Sequence, residues 1–421
     1  MMRGIIQYVV ILILFAACSK DESLKDKDGV VISQPHIWAA TVTDDNERAI
    51  NFFVKRTISY DNSVLLGARK QGKTLLRMIN LKDGSSKWDW DDFFKYYTSF
   101  WIDYHYQNQN ELTFFDYNFL YKIDLSSGKT IKKVTQDEHY DRAINGIDNK
   151  IFAIYLINNR GALQGGGYVV AVDNKNLETI DKFQPKYDTS RSVPFNEGGY
   201  YYGGYGVPVK QSNEVFVVVK SNDPPPSRGI SGSDWLGLYN YTKKVWVYER
   251  QRIREEDEAG AGLIFVEKDK VFTQGLAWVG CHDLMTGTRK WKTSIPKGGI
   301  HLSAGLLVAN DKVYANSDDG QLACIDVYSG RILWQIRSSG TSKPLSYLNG
   351  VVYFVGGGDG KLHAVDAETG EYLWKIASPD LGKNKSAVFS GMCAVVPGVG
   401  SEKGKIVVTT GLNAYCYEAI R

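Results

Sequence analysis

Cysteine and histidine have the widest chemistry of the residue types in this sequence, and three of the five cysteines recur at one position of a pattern. Cys281, Cys324 and Cys416 each stand two residues before an Asp or Glu, at the end of an apolar stretch. A metal or redox site requires closely spaced cysteines, such as C-x-x-C, or cysteines near histidines. Neither spacing occurs, so we expect small buried side chains here, with a redox pair or metal site as the alternative.

The six histidines are scattered, at positions 36, 105, 139, 282, 301 and 363. His282 and His363 lie in apolar, strand-like stretches, which favours packed or hydrogen-bonded side chains over metal ligands. The sequence contains no G-x-S-x-G or H-E-x-x-H motif. It therefore predicts no metal site and no catalytic residue.

Charge and composition narrow the class of protein further. The 421 residues include 50 basic and 47 acidic side chains, a balance that argues against a nucleic-acid-binding protein. The chain is rich in glycine, with 42 residues, and in aromatic side chains, with 26 Tyr, 17 Phe and 10 Trp. Glycine suits tight turns and aromatic side chains suit pleated strands, so the composition favours short strands joined by turns.

An internal repeat organises the chain. Its clearest copies place an Asp or Asn four residues before Gly and eight before Trp. These copies consist of Asn80, Gly84 and Trp88; Asp283, Gly287 and Trp291; Asp326, Gly330 and Trp334; and Asp366, Gly370 and Trp374. Degenerate copies centre on Asp124, Asp173 and Asn240. Successive copies are 40 to 49 residues apart, except for one step of 67. A spacing of about 40 to 50 residues is the period of a β-propeller blade.

The repeat predicts an all-β protein with a single β-propeller. Each period holds three to four short strands, and the residue four before the Asp or Asn is apolar in every copy, as expected of one buried sheet face. A strand over Pro35–Ala40 and the unfinished copy over Tyr415–Glu418 would complete one blade together. We therefore predict eight four-stranded blades closed by the N- and C-terminal strands, with seven blades as the alternative.

The motif Ala-x-Asp-x-x-Thr-Gly-x-x-x-Trp resembles the tryptophan-docking motif of propellers of the pyrroloquinoline quinone (PQQ) type. Residues 364–374 match it fully, residues 281–291 match it with Cys in place of Ala, and residues 324–334 match it with Cys in place of Ala and Ser in place of Thr. The resemblance covers residues 35–421 and implies the same propeller fold. Two families share the motif, namely the quinoprotein dehydrogenases and the noncatalytic propeller lipoproteins of the outer-membrane β-barrel assembly machinery.

Resemblance to the dehydrogenases would imply bound PQQ and calcium. Those enzymes hold them with a Glu/Asn/Asp set, a catalytic Asp, a stacking Trp and commonly a pair of adjacent cysteines. The cysteines here are at 18, 281, 324, 393 and 416, with no adjacent pair, and no segment matches the calcium set. We therefore expect no PQQ, no calcium and no enzymatic activity.

The N-terminal residues resemble a lipoprotein signal. A basic start and an apolar run from Ile5 to Phe15 precede Ala16, Ala17 and Cys18, which resemble a bacterial lipobox. We expect a signal peptide over 1–17, lipidation at Cys18 and a tether over 18–34, with an ordinary secretory signal as the alternative. Ser19 and the acidic residues that follow resemble the signals of outer-membrane lipoproteins of Gram-negative bacteria, including surface lipoproteins of the Bacteroidetes. Whether the protein faces the periplasm or the exterior stays open.

The long step between repeats indicates an insertion in the blade around residues 188–240. It contains Tyr200, Tyr201, Tyr202 and Tyr205 among glycines, followed by a Pro/Gly/Ser-rich stretch that ends at Trp235. Tyrosine and tryptophan beside glycine form rigid contact surfaces, so these five side chains are candidates for contact with a ligand or partner. The alternative is that many of these rings belong to the blade core.

We therefore predict a monomeric, lipid-anchored propeller that acts as a noncatalytic protein-interaction scaffold at the outer membrane. It would bind an envelope protein, contact the membrane only through its lipid, and bind no nucleic acid. One alternative is a surface propeller that binds a glycan or small ligand, and another is a PQQ-dependent oxidoreductase.

Overall fold

The structure, a computed structural model, describes seventeen stretches of the chain in which all regular structure is β. The described residues are 23–44, 51–54, 56–93, 99–102, 105–116, 119–135, 140–155, 168–185, 206–222, 233–254, 264–295, 299–300, 305–317, 320–340, 343–382, 387–391 and 393–421. No helix within these ranges has the length and apolar character that a membrane span requires.

The strands form eight blades around a ring. The first strands are β1 (Leu24–Lys25), β2 (Val31–Ser33), β3 (Trp38–Thr41) and β4 (Asn51–Val54). Blade 1 contains β5 (Ser63–Lys70), β6 (Lys73–Asn80) and β7 (Ser86–Trp90), and β8 (Ser99–Ile102) follows and pairs with β4 in parallel. Blade 2 contains β9 (His105–Asn108), β10 (Glu111–Asp116), β11 (Phe119–Asp124) and β12 (Thr130–Thr135). Blade 3 contains β13 (Tyr140–Ile147), β14 (Lys150–Tyr155), β15 (Tyr168–Asp173) and β16 (Thr179–Phe183).

The second half repeats this arrangement. Blade 4 contains β17 (Gly206–Gln211), β18 (Glu214–Asn222), β19 (Asp234–Asn240) and β20 (Val245–Arg252). Blade 5 contains β21 (Phe265–Glu267), β22 (Lys270–Gln274), β23 (Trp278–Asp283) and β24 (Arg289–Ser294). Blade 6 contains β25 (Leu306–Ala309), β26 (Lys312–Asn316), β27 (Gln321–Asp326) and β28 (Ile332–Arg337). Blade 7 contains β29 (Ser346–Leu348), β30 (Val351–Val355), β31 (Leu362–Asp366) and β32 (Tyr372–Ile376), and blade 8 contains β33 (Ala394–Val396), β34 (Lys405–Thr409) and β35 (Asn413–Glu418).

Within a blade, consecutive strands pair in antiparallel fashion from the centre of the ring to its rim. The first strands of neighbouring blades contact each other, as β13 does with β17, which places these strands at the centre. In blade 1 the central position is held by a short segment in which Ser59 bridges to Val64. Each blade is thus a four-membered unit, as the repeat predicts.

The N-terminal strand closes the ring, as the sequence predicts. Strand β3 pairs with β35 in antiparallel register from Trp38 opposite Cys416 to Thr41 opposite Asn413. It becomes the outer strand of blade 8, which otherwise consists of the last three strands of the chain. Because the two ends of the chain share one sheet, the ring has no open junction between its first and last blades.

Part of the predicted tether is ordered. Strands β1 and β2 form a two-stranded ribbon, and Val31 pairs in parallel with Trp374 on the rim of blade 7. Asp26 accepts hydrogen bonds from the amides of Asp28 and Val30 at 3.0 and 2.9 Å, which shapes the turn between the two strands. This segment is charged, but the exposed edge of β32 offers backbone partners that the sequence pattern alone does not reveal.

The two middle strands of a blade are buried on both faces, whereas the alternating sequence pattern led us to expect one buried face. In β27, for example, Leu322, Ala323, Cys324 and Ile325 are all fully buried. Each blade lies between two neighbours, so both faces of its middle strands are covered. Alternation survives at the rim, where β12 and β28 expose every second side chain or more.

The insertion around 188–240 leaves the strands of blade 4 regular. Strands β17, β18 and β19 pair over their full lengths. The additional residues lie in the two connections that join β16 to β17 and β18 to β19. Strands alternate in direction within each blade, so the ends of β16 and β18 and the starts of β17 and β19 all lie at the same end of the ring.

Candidate functional site

The repeated Asp/Asn–Gly turns share one hydrogen-bond geometry. The Asp326 carboxylate accepts hydrogen bonds from the amide and hydroxyl of Ser329, both at 2.7 Å, and these bonds lower the pKa of Asp326. The amide of Gly330 donates to the carbonyl of Asp326 at 3.0 Å. Gly330 has a φ of +71°, a left-handed conformation that glycine adopts without steric cost. The turns at Asp283 and Asp366 repeat these contacts with Thr286 and Thr369.

Aromatic side chains on the rim, most of them tryptophans, connect these turns to the preceding blade. The indole nitrogen of Trp291 donates to the carbonyl of Val327 at 2.9 Å, and a Cβ added at Gly330 would lie 2.6 Å from its ring. Glycine is therefore required at this position for two reasons: the backbone is left-handed, and the indole ring occupies the space that a Cβ would need. In the same way, the indole of Trp88 donates to the carbonyl of Leu125 and lies over Gly128. The indole of Trp334 donates to the carbonyl of Ala367 and lies over Gly370.

Two docking residues are not part of the motif copies found in the sequence. Trp38, in β3, donates to the carbonyl of Leu81 at 2.9 Å and lies over Gly84. Tyr248 donates its hydroxyl to the carbonyl of Leu284 at 3.0 Å, and its ring lies against Gly287. Tyr248 is eight residues after Asn240, the offset that Trp has elsewhere, so spacing rather than residue type was the signal for it.

Trp374 differs from the other motif tryptophans. In blade 8 the residues after Glu418 are Ala419, Ile420 and Arg421, which do not form an Asp–Gly turn for this ring to cover. Trp374 is buried and lies 5.9 Å from the ring of Tyr353 and 6.4 Å from the ring of Tyr417. The chain end instead contacts blade 7 through Arg421, whose guanidinium donates to the Asp366 carboxylate at 2.6 Å.

The four cysteines in the described part of the chain, Cys281, Cys324, Cys393 and Cys416, are free and buried. Burial raises the pKa of Cys281, Cys324 and Cys416 to about 12, and it raises the pKa of Cys393 as well. Since the thiolate is the nucleophile and metal ligand, such thiols are poor candidates for either role. Cys18 lies outside the described residues.

We expect these four thiols to resist alkylation in the folded protein. A pKa of about 12 instead of 9.0 lowers the thiolate fraction near pH 8 by roughly a thousandfold, and burial blocks access in addition. In a Cys18→Ser variant, Ellman's reagent should therefore detect almost no thiol before denaturation and four thiols after it. Rapid reaction of any one thiol in the native protein would contradict this assignment.

His282 is a buried structural residue. Its Nδ1 lies 3.2 Å from the carbonyl of Gly287 and its Nε2 lies 3.1 Å from the hydroxyl of Thr273. These partners fit a neutral ring that donates from Nδ1 and accepts at Nε2. Burial lowers the pKa of His282 to about 4, despite the hydrogen bond to Gly287, which raises it.

His282 should make stability depend on pH in a defined window. Below pH 6.5 the unfolded histidine takes up a proton that the folded protein excludes until about pH 4. The folded state should therefore lose on the order of 3 kcal/mol as the pH falls from about 6.5 to about 4. Urea unfolding of the wild type and a His282→Gln variant at both pH values measures this, since the variant should lack that part of the loss. Parallel losses in both proteins would show that His282 does not titrate in this way.

Of the five side chains proposed to contact a ligand or partner, Trp235 lies within the described residues. It is half-buried in β19, and the guanidinium carbon of Arg250 lies 4.2 Å from the centre of its ring. The guanidinium carbon of Arg252 lies at 5.9 Å, so two cations from β20 approach one aromatic ring. Tyr200, Tyr201, Tyr202 and Tyr205 lie outside the described residues.

A buried charge cluster adjoins Trp235. Asp234 is fully buried, and its carboxylate pairs with Arg254 and lies 3.6 Å from the ammonium of Lys220. Burial lowers the pKa of Lys220, while the charge of Asp234 opposes that change. These side chains come from three different strands or strand ends, so no local motif could have predicted the cluster. It fixes the ends of β18, β19 and β20 beside Trp235.

A quinone cofactor with calcium would need a set of carboxylate and amide ligands. Within the ranges that the structure describes, no three His, Cys, Asp or Glu side chains converge as a metal site would require. Cys281 and Cys324 stand in different blades, and both are buried thiols. The described residues thus include neither a cluster of this kind nor the adjacent cysteine pair that is common in the dehydrogenases.

The eight blades define this chain as an eight-bladed β-propeller, and its Asp–Gly turns and docked rings are similar to those of PQQ-type propellers. A family model described as outer membrane protein assembly factor BamB matches residues 276–413, which run from just before the third strand of blade 5 to the start of the last strand of blade 8. No curated protein is significantly similar to the chain in sequence.

Several solved structures are similar in fold. BamB from Moraxella catarrhalis has a TM-score of 0.50 at 11% identity, over 82% of this chain and 93% of its own. The quinohemoprotein alcohol dehydrogenase ADHIIG from Pseudomonas putida HK5 has a TM-score of 0.60 at 12% identity, over 94% and 78%. Sqt1 from Saccharomyces cerevisiae has a TM-score of 0.63 at 10% identity, over 93% and 100%. At these identities the likeness establishes the fold, which is common to enzymes and other proteins alike.

Proposed function

We propose that the protein is a noncatalytic propeller, lipidated at Cys18, that acts as a protein-interaction scaffold at the outer membrane of a Gram-negative bacterium. The observation that carries the proposal is the match of residues 276–413 to the BamB family model, whose description is an outer-membrane assembly factor. By that likeness its partner is an envelope protein engaged in outer-membrane assembly. We expect it to act as a monomer, because the pairing of β3 with β35 leaves no sheet edge at the junction of the first and last blades for a second copy to occupy.

The chemistry of the described side chains supports a noncatalytic role. The thiols are buried and hard to ionise, and His282 has both ring nitrogens occupied by structural partners. The carboxylates of the repeat, such as Asp326, are engaged in shaping turns. An enzyme would instead hold such groups in a cleft with a ligand-accessible atom.

A cofactor titration tests the noncatalytic part of the proposal. PQQ and calcium chloride are added to the purified chain, and the melting temperature and the absorbance of the quinone are followed. We expect neither to change if the cofactor does not bind. The melting temperature is informative because a ligand of the native state must raise it by mass action. A rise of several degrees, or a shifted quinone spectrum, would instead support a PQQ-dependent oxidoreductase.

A second candidate function is binding of a glycan or small ligand at the cell surface. The observation that favours it is the half-buried Trp235 beside Arg250 and Arg252, since aromatic rings and guanidinium groups are common in such sites. Protease treatment of intact cells separates the two functions. Full protection of the chain would argue against capture of external ligands, whereas cleavage would place it on the surface.

A further inference from the structure

The ribbon of β1 and β2 is attached to one place on the rim of the ring. Val31 pairs with Trp374 of blade 7, and the neighbouring Val30 is buried. The ribbon is closed by a hydrogen bond from the Asp26 amide to the Val30 carbonyl at 2.9 Å, in addition to the hydrogen bonds that the Asp26 side chain accepts. The path of the N-terminal chain is therefore fixed from Leu24 onward.

The distance from Cys18 to the ribbon is short. Six residue steps separate Cys18 from Leu24, and an extended chain spans at most about 3.6 Å for each step. Leu24 can therefore lie no more than roughly 20 Å from Cys18. A lipid on Cys18 would hold this residue at the membrane surface, so the rim of blade 7 must stay near the membrane.

The ribbon exposes large apolar side chains that could enter a lipid interface. Leu24 and Ile32 are 61% and 41% exposed, although both are large apolar side chains. Lys25 and Lys27 are also exposed and have long apolar stems that can lie along an interface with their charges in the headgroup layer. Asp26 and Asp28 balance these charges, so apolar contact and the short tether, rather than net charge, would hold the ribbon there.

We propose that the β1–β2 ribbon and the rim of blade 7 face the lipid bilayer, with the rim of blade 3 directed away from it. Blade 3 is directly opposite blade 7 in a ring of eight. The ring then stands on its edge, and both of its ends are accessible to a protein partner. This inference rests on the proposed lipidation of Cys18.

Site-specific quenching tests this orientation. The lipidated full-length chain carries one fluorophore, at Lys27→Cys in the ribbon or at Ile180→Cys on the rim of blade 3, where Ile180 is 47% exposed. Each protein is reconstituted into phosphatidylethanolamine/phosphatidylglycerol vesicles with nitroxide-labelled headgroups. We expect quenching at least about threefold stronger at position 27 than at 180, because only position 27 lies within reach of the short tether.

Equal quenching at the two positions, or stronger quenching at 180, would overturn the orientation. A matched Cys18→Ser protein separates this failure from failure of the anchor. If Cys18→Ser releases the chain from membranes while the two labels are quenched equally, only the orientation is wrong. If the Cys18→Ser protein stays in the membrane fraction, the proposed lipid anchor is wrong, and the inference fails with it.

Discussion

Replacing Trp38 by alanine should lower the free energy of unfolding by about 3–5 kcal/mol, the usual range for removing a buried tryptophan. The side chain is 6% exposed, donates to the carbonyl of Leu81 at 2.9 Å and covers Gly84. It also belongs to β3, the strand that joins the two ends of the chain. Its loss removes packing at the ring closure and leaves the Leu81 carbonyl without its donor.

Urea unfolding followed by circular dichroism measures this effect, with the neighbouring residue as a control. Ile37 is 43% exposed, so Ile37→Ala should change stability by no more than about 0.5 kcal/mol. Trp38→Phe should fall between the two, since it keeps an aromatic ring but loses a hydrogen bond of about 1 kcal/mol. If Trp38→Ala is as stable as Ile37→Ala, the closure does not depend on this docking contact.

Gly330→Ala should destabilise the protein by about 3 kcal/mol, through a left-handed backbone that costs about 1–2 kcal/mol for an L-residue and through displacement of a ring. Gly330 has a φ of +71°, and an added Cβ would lie 2.6 Å from the Trp291 indole. The Val327 carbonyl would lose its donor if the indole moved. Trp291 fluorescence should change together with stability.

Gly72 provides a matched control for this substitution. Its φ is +76°, and an added Cβ would meet no atom within 4 Å. Gly72→Ala should therefore cost only the backbone term, about 1–2 kcal/mol. Equal losses for Gly72→Ala and Gly330→Ala would show that the contact between Trp291 and the turn contributes nothing to stability.

The fold could be predicted because its signals are local and repeated. Asp326, Gly330 and Trp334 lie within nine residues, and a turn with its following strand determines their spacing. The closure by Trp38 could be predicted because the last copy of the repeat lacks its final strand. Tyr248 escaped notice because it differs in type from the residue at the same offset in other copies, although it makes the same hydrogen bond.

The site could be predicted much less well than the fold. The stacking of Arg250 on Trp235 and the pairing of Asp234 with Arg254 depend on strand register, which no short motif specifies. Likewise, the ribbon over Leu24–Ser33 depends on the free edge of β32, more than 300 residues away in sequence. Such contacts follow from the ring as a whole, whereas turns and docked rings follow from each repeat.

Quantitative isolation of cross-linked complexes from intact cells tests the scaffold function most directly. The full-length lipidated chain is purified under denaturing conditions after cross-linking, and the attached proteins are measured by mass spectrometry. The Cys18→Ser and Trp38→Ala variants report the roles of the anchor and of the folded ring, and Ile37→Ala is the matched control. We predict that one outer-membrane assembly protein is recovered in near-equal amount with the wild type and Ile37→Ala, and is largely lost with the other two variants. Recovery of no protein above the level of the Trp38→Ala variant would contradict the function proposed for this propeller.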